Sequence, residues 1–457
     1  MSDTKQLELS KQIVGQAQRL GAEVAEAIVL DESELSAKVR LGEPEMIREA
    51  RSVGAGIRVF KNGRQATSTT SNTSPAGLED LVASALELAS LSEPDELAGP
   101  PDPALLHLGP FEDLDLFDPA VASISGVEAV DRAKACESAA LAYDPRIVNS
   151  EGGTFERTLY TRAMATSGGF EGSYRGSYVT LYAVPVIEEA SGKRQRGSYW
   201  DARRHTADLQ TAEAVGQEAA RRAIQKLGAT KIESAELPVV FDPDSARALL
   251  SLLCSCVSGD AIYKRTSYLV GKLRQPIASP LVTIRDEPLT RRGAGSRPFD
   301  GEGLPSRSNV IVDVGVLGSW LLDTYTGRKL GLPSTGNAAR GLSAKPGVSP
   351  SNFVLQKGTR SRAEIIGELD RGLYVTHMMG FGFNPTTGDF SRGAEGFMIE
   401  KGELTHPVSE VTVSLGFDEL WPRIDAVADD LDDRARFQSP SFRVSRMTIA
   451  GASAARG

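Results

Sequence analysis

The sequence predicts an α+β protein, with N-terminal helix/antiparallel-strand units followed by a large, mostly antiparallel, β-rich C-terminal domain. Three observations carry this. A helix–strands–helix pattern occurs twice in the first half of the chain. A proline-rich stretch separates the two occurrences. Beyond residue 231 the apolar residues fall into short runs among Gly, Pro and Ser. At 457 residues the chain has room for two or three domains. The pattern divides it into a first α/β unit (1–91), a linker (92–119), a second α/β unit (120–230) and the C-terminal domain (231–457).

In the first unit, Leu9, Ile13, Val14, Ala17 and Leu20 recur at helical spacing and Gly21 ends the helix. Residues 24–30 and 35–41 are predicted as the strands of a hairpin. Residues 51–60 and 64–70 form another, turning at Asn62-Gly63. Leu78, Leu81, Val82, Ala85, Leu86 and Ala89 mark the closing helix. Pro94, Pro100, Pro101, Pro103, Pro110 and Pro119 make the linker extended. The second unit repeats the order. An Ala-rich helix spans 126–142, a strand ends in a turn at 147–153, and strands follow over 156–165, 170–186 and 196–202. A helix over 208–227 then stops at Gly228. No residue identity links the halves, so an internal repeat is only suggested by the order.

The C-terminal domain opens on a short strand at 238–241 and a helix over 245–258, whose Ala246, Leu249, Leu250, Leu253 and Val257 share one face. Apolar runs at 281–284, 310–314, 353–355, 408–415 and 442–449 are strands. The most glycine-punctuated stretch is 372–402. A strand at 373–378 leads into the turn chemistry of Asn384-Pro385-Thr386-Thr387-Gly388-Asp389, and a strand through Phe397 and Ile399 reaches a Lys401-Gly402 turn. Glycines beside strands imply close approach of another backbone, from a neighbouring strand, a partner chain or a bound peptide.

Composition narrows the function. Hydrophobic content of 40% and charged content of 24% are those of a globular protein. A net charge of −9 argues against a nucleic-acid or anionic-membrane binder. No apolar run approaches the roughly 20 residues that span a bilayer. The N-terminus is polar, without the apolar segment of a signal peptide. Three cysteines, Cys136, Cys254 and Cys256, make no disulfide framework, and a cytoplasmic location is expected.

Catalytic chemistry is sparsely marked. The four histidines, His107, His205, His377 and His406, form no helical ligand pair. Cys254 and Cys256 point about 200° apart on a helix and read as small buried thiols. No G-x-S-x-G elbow is present. Asp286-Glu287-Pro288 and Phe299-Asp300-Gly301-Glu302-Gly303 read as turn-forming acids rather than a carboxylate pair or ion site. Gly54-Ala55-Gly56 and Ser334-Thr335-Gly336-Asn337 do not open a helix as a phosphate loop does.

Several of these segments together resemble the TldD/PmbA family: Gly54 to Arg58, Phe299 to Gly303, Ser334 to Asn337 with Arg340, Gly372 to Thr376, Thr387 to Ser391, Gly396-Phe397 and Glu400 to Gly402. The family's TldD branch carries an H-E-x-x-x-H zinc helix. The corresponding positions here read Leu250-Ser251-Leu252-Leu253-Cys254-Ser255, before Ser258-Gly259-Asp260, and the helix has no His or Glu. The chain is therefore similar to the TldE (PmbA) branch. That resemblance implies a non-catalytic subunit with no metal and no catalytic residue of its own, paired with a TldD-like subunit that holds zinc. It also implies a shared cavity for unfolded peptide, with roles in peptide-precursor maturation and antitoxin degradation. A homodimer is conceivable for the isolated chain. Two rivals remain: a metal-independent serine or threonine hydrolase, and a regulatory protein without a role in cleavage. The residues expected to line the peptide cavity or the partner seam are Tyr374, Thr376, His377, Gly380, Gly382, Asn384 and Arg392.

Overall fold

The computed structural model describes residues 3–189, 192–343 and 345–451. Its N-terminal half is built on one sheet. Helix α1 (Asp3–Arg19) leads into β1 (Val24–Arg40), β2 (Glu43–Lys61), β3 (Arg64–Thr70) and α2 (Pro75–Leu91). A short α3 (Pro119–Ser123) and α4 (Gly126–Ala142) precede β4 (Ile147–Thr166), β5 (Glu171–Glu188), β6 (Arg194–Arg196), β7 (Tyr199–Arg203) and α5 (Ala212–Ile224). The strands run β3-β2-β1-β4-β5-β6, with β7 also on β5. The two units thus meet at the antiparallel β1–β4 pair and share one sheet.

Two predicted breaks are absent. The expected hairpin within 24–41 is one 17-residue strand, β1, which turns only at Leu41-Gly42, where both residues have positive φ. The polar run Asp31–Glu34 does not interrupt it, because buried Asp31 is bonded by Gln6 and Arg51. The turn expected at 147–153 is a bulge inside β4, where the register shifts between Ser150 and Gly153 and Gly152 takes φ 120°. The helix expected over 208–227 is the shorter α5, capped by the Thr211 hydroxyl accepting from Ala214 N.

Strand alternation gives the sheet two distinct faces. Ala25, Ala27 and Val29 of β1 pack under α1 and α2, while Leu35, Ala37 and Val39 pack under α4 and α5. Gly54 and Gly56 of β2, Tyr160 and Arg162 of β4, and Tyr174 and Tyr178 of β5 face the C-terminal domain. A Cβ on Gly56 would lie 2.3 Å from the Leu342 carbonyl oxygen, so the Gly54-Ala55-Gly56 segment is where the loop carrying Leu342 seats against the sheet. Beside it, buried Glu26 pairs with Arg340 at 2.7 Å and with Arg58 at 3.4 Å.

In the C-terminal domain, β8 (Ala235–Phe241), α6 (Pro243–Cys256) and α7 (Gly259–Tyr263) come first. Then follow β9 (Ile284–Asp286), β10 (Asn309–Asp313), β11 (Val316–Leu317), α8 (Thr324–Leu330), β12 (Ala338–Ala339), β13 (Gly347–Val348), β14 (Phe353–Leu355) and α9 (Arg362–Gly367). The last elements are β15 (Arg371–Met379), β16 (Ser391–Glu400), β17 (Glu403–Ser414), α10 (Phe417–Leu420), β18 (Ile424–Val427), β19 (Phe437–Gln438) and β20 (Phe442–Ala450). Instead of one large sheet the strands divide. Strands β17-β16-β15-β8-β20-β18 form one sheet, which closes on itself through β17–β20 pairs, and β11-β10-β9-β14-β19 form another. Strand β15 is interior to this sheet, flanked by β16 on one edge and by β8, in parallel, on the other. Most of the domain's buried apolar residues, Trp421, Phe417, Phe442 and Phe241 among them, form one core.

Candidate functional site

Helix α6 starts where the Asp242 carboxylate accepts from Ser245 N and Pro243 occupies the first turn. Leu249, Leu250 and Leu253 face the core with no exposure. Ser251, Cys254, Ser255 and Ser258 instead border a hollow of 470 Å³, closed by Asp260 and Lys264 of the α7 segment and by Ser349, Pro350, Arg436 and Phe437. The sequence comparison set Leu250 at a zinc-ligand position. In this chain Leu250 is a core residue, and the face open to the hollow starts at Ser251.

This donor set does not fit zinc. The Ser251 and Ser255 hydroxyls donate back to the carbonyls of Ala248 and Leu252. Burial pushes the Cys254 thiol well above its usual range, against the thiolate that binds metal. Among the described residues no three His, Cys, Asp or Glu side chains gather. The histidines are scattered. His107 stacks on Phe111, His205 bonds the Asp115 carbonyl, and His406 lies beside Thr405 on β17.

A second hollow of 390 Å³ shares Ser349, Pro350 and Arg436 with the first, so the two make one groove. Its other wall is the C-terminal-facing side of the N-terminal sheet, with Tyr160, Arg162, Tyr174 and Tyr178. Tyr160 and Tyr174 meet edge to face, with ring centroids 6.2 Å apart. Arg204 lies 4.4 Å over the Tyr178 ring and donates to Tyr160 Oη and to the carbonyls of Gly293 and Ala294. Burial raises the Tyr178 hydroxyl to about 12. Glu32, the carboxylate on this wall, is raised by burial and then by Glu34. The sequence reading missed these residues. Their signal is the placing of Tyr160, Arg162, Tyr174 and Tyr178 on even positions of β4 and β5, opposite odd-numbered apolar residues such as Leu159, Val179 and Leu181 that meet the helices.

The seven residues expected to form the site fall in separate places. Tyr374 is buried in a small core beside α9, with its hydroxyl accepting from Arg362. Thr376 donates to the Glu395 carbonyl at 3.5 Å. His377 borders a polar hollow with Arg40, Glu151, Arg196, Lys226 and Glu395, and burial followed by the Lys226 charge lowers its pKa. Gly382 and Asn384 line another hollow, of 650 Å³, with Phe383, Phe390 and Leu415. Gly380 has φ 82° and open space around it. Arg392 is half-buried, and burial lowers its pKa. The close approaches at these glycines are internal. A Cβ on Gly382 would lie 1.6 Å from the Ser391 carbonyl oxygen, and one on Gly396 would lie 1.8 Å from that of Tyr374.

The acidic loops are structural. Asp300 accepts from the backbone N–H groups of Glu302, Leu304 and Ala338, and Glu302 accepts from Thr324 N. Asp286 accepts from Asn337 Nδ2 and from the N–H and hydroxyl of Ser351. No helix among the described residues is long and apolar enough to cross a membrane.

Comparison with known proteins agrees along the chain. Residues 25–89, 120–227 and 234–451 match the first, central and C-terminal domains of the PmbA/TldA metallopeptidases. The Escherichia coli metalloprotease PmbA is 35% identical over 94% of this chain and 92% of its own length. A Haemophilus influenzae metalloprotease TldD homolog is 30% identical over 58% of this chain. Among solved structures, a Bacteroides thetaiotaomicron protein described as a modulator of DNA gyrase superposes with a TM-score of 0.90 at 28% identity, covering 97% of this chain and 98% of its own. TldE from Thermococcus kodakarensis shares the fold, with a TM-score of 0.87 at 24% identity over 97% of this chain and 100% of its own. The chain belongs to the TldD/PmbA metallopeptidase family, in its PmbA (TldE) branch.

Proposed function

We propose that this chain is the non-catalytic, peptide-binding subunit of a heterodimeric zinc metallopeptidase that acts on unfolded peptides in the cytoplasm, in proteolysis and peptide-precursor maturation. A TldD-like partner supplies the metal, the general base and bond cleavage. The observation that carries this reading is the open face of α6. Where the resemblance places a zinc motif, it presents hydroxyls already bonded to their own helix and a thiol held protonated. Those serines also have no histidine at hand, which disfavours a serine nucleophile.

In this reading an unfolded peptide lies in the groove between the N-terminal sheet and the C-terminal domain. Each backbone hydrogen bond nets about 1 kcal/mol, while ordering each residue costs about 1–2 kcal/mol. Capture is then weak and tolerant of sequence, as suits an enzyme complex that must release its products.

The test is to mix this chain with a TldD-like chain carrying H-E-x-x-x-H and to measure hydrolysis of an unfolded peptide and zinc per complex. Cleavage that needs both chains, stops with a chelator and contains only the partner's zinc is the expected result. Full cleavage by the partner alone, or chelator-sensitive cleavage by this chain alone, overturns the reading.

A further inference from the structure

The charge balance of the groove is uneven. Four arginines, Arg162, Arg204, Arg297 and Arg436, line its tyrosine-walled hollow, against one carboxylate, Glu32. None of the four is in an ion pair among the described residues. Arg162 donates to the Arg340 carbonyl, Arg204 to two carbonyls and a phenol, and Arg297 to the Ser349 carbonyl, while Arg436 meets only the Phe437 ring. Nε of Arg297 is buried without an acceptor. On the core side, Arg297 is felt by Asp286 and Asp300, but both are occupied by other donors. Two buried guanidinium groups outside the hollow do have carboxylate partners, in Arg340–Glu26 and Arg434–Asp432. Unpaired arginines in a recessed, aromatic-walled site, in a protein of net charge −9, attract an anion that the chain itself does not provide.

We propose that this hollow is a carboxylate-recognition subsite, resting on the peptide-binding reading above, and that the peptides held in the groove are anchored there by an acidic side chain or a C-terminal carboxylate. Arg436 is exposed at the junction of the two hollows with its donors free, and it makes the first contact. Arg204, fixed by its three acceptors, supplies charge without moving.

The test uses the isolated chain and fluorescence anisotropy with three labelled peptides of one polar sequence: neutral and amide-capped, amide-capped with added glutamates, and neutral with a free C-terminus. A carboxylate-bearing peptide is expected to bind roughly tenfold tighter than the neutral one, and which of the two does so identifies the source of the carboxylate. Arg436→Gln should erase the preference. Arg371→Gln, an equal loss of charge at another exposed position, should not. Equal binding of all three peptides overturns the subsite and leaves the peptide-binding reading intact, and equal loss of the preference in both variants also overturns it. If no peptide binds, the peptide-binding reading fails, and glutarate then decides the subsite. A thermal shift with glutarate that Arg436→Gln abolishes retains it, and no shift removes it.

Discussion

In the β15–β16 hairpin the chain meets itself. Gly382 and Gly396 leave room for the carbonyls of Ser391 and Tyr374, and β16 and β8 cover both edges of β15 over its first half. In the groove beside α6 the chain leaves groups unmet. Its arginines find carbonyls and rings but no carboxylate, and an Nε–H of Arg297 finds nothing. The contrast teaches that a dense run of glycines marks packing already completed. An unbalanced set of charges around a recessed site marks packing that awaits something from outside.

The strongest way to break this comparison is at a buried charge that is balanced. Glu26 is the carboxylate for both Arg340 and Arg58 at the seam between the two halves. Glu26→Ala should cost about 3–5 kcal/mol, because two buried guanidinium groups lose their counter-charge. Urea denaturation measures it. A loss below about 1 kcal/mol would mean that buried arginines are tolerated unpaired here, and the groove's imbalance would then carry no information.

The glycines come next. Gly396→Ala places a methyl group against the Tyr374 carbonyl and should cost about 3 kcal/mol by overpacking. Gly382→Ala should behave alike. Gly380→Ala meets open space and suffers only the strain of its positive φ, about 1–2 kcal/mol. A reversed order would mean that the hairpin is looser than its contacts imply and has room for a peptide edge.

That result bears on what the sequence could disclose. Helical spacing located α1, α2 and α6, Ala-rich composition located α4, and Asn62-Gly63 and Lys401-Gly402 both proved to be tight turns. Strand length was obscured where polar residues stay inside a strand. Asp31 is one such residue, satisfied by Arg51 from the neighbouring strand and by Gln6 from a helix. The open face of α6 was legible as a helix lacking His and Glu. The groove was not, because Tyr160 and Arg204 lie far from Arg436 in sequence and only the sheet-to-domain packing brings them to one wall. Glycine spacing pointed to close approach, but it does not say whose backbone approaches.

Buried acids give the mirror image of the groove, with carboxylates satisfied by backbone N–H groups. Burial, and then the charge of Asp300, raises Glu302 to about 8. An unfolded glutamate titrates near about 4.3. Between those values the folded protein binds more protons than the unfolded chain, so this group's contribution to stability falls as pH rises through about 8. The urea midpoint should drop between slightly acidic and alkaline buffer, and Glu302→Gln should flatten the drop. An unchanged slope in the variant would assign the pH dependence to other groups.

The smallest effect is expected on the open face of α6. Ser251 and Ser255 spend their hydroxyls on carbonyls of their own turn, and alanine is the better helix former by a few tenths of a kcal/mol. The double variant Ser251→Ala/Ser255→Ala should therefore stay within about 0.5 kcal/mol of the parent in stability. Mixed with a zinc-bearing partner, it should hydrolyse peptide at the parent rate, because neither hydroxyl touches a base or a reacting atom in this reading. A rate loss of tenfold or more, with the fold unchanged, would place a nucleophile on this helix, and the chain would then be a catalyst in its own right. An unchanged rate leaves these serines as the inert floor of a groove whose interactions come from its arginines.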